Sequence, residues 1–211
     1  MIRLYILYYC ISGIFVDFNH HYGTCVFGTA LLFDESADSF KWLFESFLRC
    51  MGGKHPITLI TDQAAAIGAA ASTVFPNTFH ALCTFHICEN ARSRLGSKAT
   101  EDFWEELHQM INYVDDKKEF ELSWSKMLFT AFDNRHTSEV DWLETLYSSR
   151  KKWSSAWVKC HFTAGKTTTQ LSEQFNAFGR YYLKPDYPIS AFFTRLLLYL
   201  LLSFMYVIRG L

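Results

Sequence analysis

The apolar residues between Ile14 and Leu82 change period repeatedly, and this alternation constrains the fold more than any other feature of the chain. Residues 14–19 and 24–33 read as strands, joined through His20-His21-Tyr22-Gly23 as a hairpin turn that Gly23 closes. Asp34-Glu35-Ser36 then opens a helix. In it Phe40, Leu43, Phe44, Phe47, Leu48 and Met51 share one face, and Gly52-Gly53 stops it. Pro56 leads into a buried strand at residues 57–61, with Asp62 just past its C-terminal end. An alanine-rich helix over residues 63–74 breaks at Pro76-Asn77, and residues 78–82 read as a further strand. The order β-β-α-β-α-β predicts a mixed sheet covered by helices.

From Cys83 to about Trp157 the pattern is helical throughout, and no proline stands between Pro76 and Pro185. Stripes form at Phe103-Trp104, Leu107 and Met110-Ile111, then at Phe120, Trp124 and Met127-Leu128, then at Val140, Leu143 and Tyr147. Residues 165–169 make a polar break, after which Leu171, Phe175 and Phe178 mark another helix with Glu173 on its opposite side. At the chain start, Arg3 and the apolar residues 4–11 imitate a secretory leader. No small-x-small cleavage site follows, and a buried strand is the preferred reading. Residues 196–208 form a 13-residue apolar run. A membrane span needs about 20, so a terminal helix is expected and no membrane partner. Six scattered cysteines in a chain of 211 residues point to reduced thiols.

Half the residues are apolar and the net charge is −1, which excludes disorder and a uniformly polycationic molecule. The charge is nevertheless segregated. Between Glu101 and Glu121 eight carboxylates face two lysines, whereas between Arg150 and Lys184 seven bases face only Glu173. Two solvated faces are the commoner meaning of such runs. A phosphate backbone lying along the basic half, with Arg150, Lys151, Lys152 and Lys166 as contacts, is the sharper one.

Asp62 is the most suggestive single position. A carboxylate past the end of a buried strand lies where α/β sheets bind ligands and metal ions, although it equally suits a cap for the next helix. Glu173, alone among Thr, Gln and Ser in a basic stretch, is a second acid candidate or an exposed helix residue. Cys83-x2-His86 has half-site zinc spacing, with His80 and Cys88 nearby. A buried thiol beside a hydrogen-bonded imidazole fits the same residues. Cys160-His161 is a poor pair for one metal, and no loop suits an oxyanion in a Cys-His nucleophile.

Several segments together resemble the transposase core of the plant far-red-impaired-response proteins, regulators derived from Mutator-like (MULE) transposases. They are Asn19-His20-His21, Phe27-Gly28-Thr29-Ala30-Leu31-Leu32, Asp34-Glu35 and Phe40-Lys41-Trp42-Leu43-Phe44. The run from Pro56 to Gln63, then Val74-Phe75-Pro76, then His80-x-x-Cys83-x-x-His86-Ile87-x-x-Asn90 follow in family order. The series closes with Ala164-Gly165, Thr168-Thr169-Gln170, Ser172-Glu173 and Asn176. The likeness covers about residues 14–193.

The resemblance implies a ribonuclease-H-like mixed sheet with a helical insertion between its second and third acids. The core would comprise residues 1–95 and 164–195, the insertion 96–163, and a divergent apolar tail 196–211. In active relatives three carboxylates hold Mg2+ for DNA strand cleavage and transfer. Asp62 matches the second, Glu173 the third, and Cys83 with His86 the family's Cys-x2-His pair, with Zn2+ implied there. The family's first acid has no match. Asp17 falls where the family has Gly, so the sheet is expected to be N-terminally incomplete with its first strand missing. Ala81, Phe85 and Leu171 also depart from the usual Arg, Trp and Arg. The family's flanking zinc-binding modules find no counterpart. The expectation is therefore a truncated, non-catalytic, transposase-derived domain of a nuclear protein in DNA-associated transcriptional regulation. Two alternatives stand beside it. One is an active transposase whose first strand comes from a different upstream exon. The other is an interaction module forming homo- or hetero-oligomers with full-length relatives.

Overall fold

The computed structural model describes residues 2–7, 10–18, 24–132, 137–168, 190, 194, 195, 197 and 198. The His20-His21 turn, the helix expected around Glu173 and all but Leu197 and Leu198 of the 196–208 run lie outside the described residues. The chain is α/β and divides into two compact units, one within Met1–Thr78 and the other Phe79–Thr168.

The first unit begins with an antiparallel sheet of β1 (Ile2–Leu7), β2 (Cys10–Phe18) and β3 (Thr24–Leu32), in that spatial order. The apolar start of the chain, read as a buried strand, forms β1, pairing Ile2 with Phe15 and Leu7 with Cys10. A register shift between Phe15 and Val16 interrupts the β2–β3 ladder. The shift explains why these consecutive residues are both buried, since regular pleating would turn one of them outward.

Helix α1 (Ala37–Cys50) starts at Ser36, whose Oγ accepts from the Ser39 amide at 3.1 Å, while Asp34 accepts from the Ser36 amide at 3.0 Å. Gly52 and Gly53 end it with φ of +63° and +79°, a conformation costly for other residues. The predicted apolar face is present: Phe40, Leu43 and Phe44 are buried. They pack with Phe15, Leu32 and Leu59 of the strands and with Ile67, Ala71 and Phe75. Phe47 stacks on Phe15 at 4.0 Å. Strand β4 (Thr58–Thr61) lies beside β1 and leads to α2 (Ala65–Val74), which packs on α1 through its alanines.

The second unit contains β5 (Phe79–Leu82), α3 (Thr84–Leu95), α4 (Glu101–Asn112), α5 (Lys117–Phe132), α6 (Ser138–Ser148), a short tight turn at Arg150–Lys152 and α7 (Ser155–Val158). The helical pattern read from Cys83 onward is present as α3 to α7. The compact unit begins at Phe79 because Leu82, Ile87, Ala91 and Leu95 share the core of Phe103, Leu107, Phe120, Trp124 and Trp153. Aromatic residues fill that core. Phe120 meets Trp153 at 5.7 Å and Trp157 at 5.1 Å, and the Trp153 indole donates to the Leu146 carbonyl at 3.0 Å. Among the described residues no helix is long and apolar enough to cross a membrane.

Candidate functional site

Asp62 stands where the sequence predicts, immediately after β4. It is half-buried, and its Oδ1 accepts from the Ala64 amide at 3.1 Å, closing the turn into α2. Thr61, fully buried, donates to the Asp62 carbonyl at 2.9 Å and fixes the strand end. The neighbouring strand β1 reads Ile-Arg-Leu-Tyr-Ile-Leu and carries no carboxylate. Asp17, on β2 opposite Cys25, is exposed, and Glu173 lies outside the described residues.

Cys83 is fully buried at the N-terminal flank of α3, and His86 is half-buried one turn on, its ring 5.6 Å from that of Phe85. Burial pushes the Cys88 thiol up; Arg92 opposes this and Cys83 adds to it. His80 is pushed down to about 4, first by burial and then by the nearby charge of Lys152, so its imidazole is neutral at physiological pH. A closed zinc site needs four ligands, and a magnesium pair needs converging carboxylates. Among the described residues no three His, Cys, Asp or Glu side chains gather so as to hold a metal ion. Cys83 with His86 would supply two of the four ligands of a zinc site, and Asp62 one carboxylate of a magnesium pair.

The charge runs meet each other. Arg150 donates from Nε to Glu121 at 3.0 Å and lies over the Tyr147 ring at 4.0 Å, with its side chain only 22% exposed. The Tyr147 hydroxyl donates to the same Glu121 carboxylate. Lys159 pairs with Asp115 at 2.7 Å. Lys151 and Lys152 stay exposed, and Lys166 is half-buried in a turn whose amide donates to the Thr163 carbonyl at 3.0 Å. The acids of the other run rim a groove of about 510 Å3 between α4 and α5, where Glu106 holds Lys126 at 2.8 Å.

Around Lys152 the unit brings together residues that sequence reasoning missed. The Arg150–Lys152 turn abuts β5. The Phe79 ring on β5 stacks on His161 at 3.6 Å, nearly parallel. The Thr84 amide donates to the Thr167 carbonyl at 3.0 Å, holding the 161–167 loop against the start of α3. The available signal in the sequence was His161-Phe162, two rings in succession after Lys159.

Residues 11–90 match the MULE transposase domain. The chain is 29% identical over 85% of its length to Protein FAR1-RELATED SEQUENCE 5 of Arabidopsis thaliana, covering 22% of that protein. It is 31% identical to FAR1-RELATED SEQUENCE 4, covering 24%, and 32% identical to FAR-RED IMPAIRED RESPONSE 1, covering 22%, both from the same plant and both over 85% of this chain. The chain thus spans about a quarter or less of the length of these curated relatives.

Proposed function

The chain belongs to the plant FAR1-related family and carries its MULE transposase domain, and on that premise we propose a DNA-holding, non-cleaving module of a nuclear transcriptional regulator. The element order β-β-β-α-β-α-β, with β4 beside β1, supports a ribonuclease-H-like core. In such a core the catalytic carboxylates converge from neighbouring strands, and metal-assisted phosphodiester displacement needs two ions clamped between them. The carrying observation is that β1, the strand beside Asp62, offers no carboxylate, while Asp62 itself is engaged in the turn into α2. Losing one ligand of such a pair removes several kcal/mol of transition-state stabilisation, so cleavage is lost while a basic surface continues to bind. Lys151, Lys152 and Lys166 contact the phosphates; Arg150 holds the helices that present them.

The test incubates the purified chain with supercoiled DNA and Mg2+ or Mn2+, alongside a binding titration on the same duplex. Retention of duplex without nicking supports the reading. Nicking that disappears in Asp62→Ala contradicts its non-cleaving half and favours an active transposase. Absence of duplex binding contradicts the rest.

A further inference from the structure

We infer that the outer face of His161, with Phe162 beside it, is a stacking platform for an unpaired base, so that this surface prefers single-stranded or junction DNA over blunt duplex. The inference deepens the DNA-holding reading and rests on it. His161 is exposed although one ring face is covered by Phe79 at 3.6 Å and an interplanar angle of 6°. Its accessible area therefore lies on the opposite face and the edge, where a further ring would extend the Phe79–His161 stack. Phe162, the next residue, is 67% exposed, far from the usual state of a phenylalanine. Lys151 and Lys152 are exposed on the turn that abuts β5, the strand bearing Phe79, and so add positive charge to the same unit.

The platform is held in place from several sides. The His161 amide donates to the Val158 carbonyl at 2.9 Å, tying it to α7. Downstream, Thr84 donates to the Thr167 carbonyl from its amide at 3.0 Å and its hydroxyl at 3.2 Å. A fixed aromatic face beside phosphate-binding lysines is the arrangement by which proteins hold single strands, since every base has a π-face and stacking tolerates any sequence. Because the platform is pre-positioned, little ordering entropy opposes binding.

The experiment measures anisotropy of a labelled blunt duplex and of the same duplex carrying a short thymidine overhang, with the whole chain. The overhang should bind more tightly, and His161→Ala and Phe162→Ala should each weaken the overhang complex about tenfold, the scale of one lost base stack. Both variants should leave blunt-duplex affinity unchanged, and His161→Phe should restore the overhang preference. Equal affinity for the two probes, or an overhang preference that survives both alanine variants, overturns the platform. A platform without phosphate-binding lysines would instead bind the single strand with an affinity indifferent to Lys151→Ala/Lys152→Ala. That result contradicts the DNA-holding reading and leaves the stack standing.

Discussion

Arg150 shows what a run of bases conceals. In the sequence it is indistinguishable from Lys151 and Lys152, yet its guanidinium is bonded to Glu121 and stacked on Tyr147, while its neighbours face solvent. The partner is 29 residues away, so no local pattern reports it. Arg150→Ala should destabilise the chain by about 1–3 kcal/mol in urea unfolding, because it strands a partly buried carboxylate, and should leave the salt dependence of DNA binding unaltered. A variant of wild-type stability would remove Arg150 from the framework. His80 makes a different prediction. Its folded value of about 4 lies below the ordinary 6.5, so the unfolded chain binds a proton that the folded chain refuses. Stability should be insensitive to His80 above pH 6.5, fall as pH drops from there to about 4, and level off below. Glu139, held at about 2 chiefly by its bond from Lys98 at 2.6 Å, loses its contribution in a lower window, below pH 4.5. Melts of His80→Gln should lack the upper slope and keep the lower one; an unchanged upper slope would contradict the burial of a neutral imidazole.

At the scale of elements, α1 was legible almost residue by residue, because an apolar face, a Ser cap and a Gly-Gly stop all agree. Strand β1 was legible only in part: the lack of a cleavage site favours a strand over a leader, but its pairing with β2 is not reported by a short apolar run. The boundary at Thr78 was hidden: the helical pattern from Cys83 is plain in sequence, but that β5 and α3 share a core with the later helices depends on contacts distant along the chain. Those helices depend on aromatic filling. Trp153, 1% exposed among Phe120, Trp124 and the Leu146 carbonyl, should cost about 3–5 kcal/mol as Trp153→Ala, read as a lowered denaturation midpoint. Trp153→Phe keeps most of the packing and loses the indole hydrogen bond, so about 1–2 kcal/mol is expected. Similar costs for the two would place the stability in the hydrogen bond rather than the packing. At the other unit's helix start, Ser36→Ala should remove about 1 kcal/mol through the lost bond from Ser39.

For the molecule as a whole, a net charge of −1 hides two opposed runs that partly neutralise each other through Glu121–Arg150 and Asp115–Lys159. The family was legible because its motifs keep their order, and Asp62, Cys83 and His86 occupy the expected strand end and helix start. Among the described residues no three His, Cys, Asp or Glu side chains gather so as to hold a metal ion. Motif spacing describes positions along the chain, whereas a metal site requires convergence in space. The cations left at the surface, Lys151 and Lys152, carry the account. The measurement that tests it most directly is duplex-DNA affinity against salt concentration for the wild type and for Lys151→Ala/Lys152→Ala. Two lost phosphate contacts should reduce the slope of log affinity on log salt by about two and weaken binding without changing stability. An identical slope for both proteins would contradict the claim that this surface holds DNA.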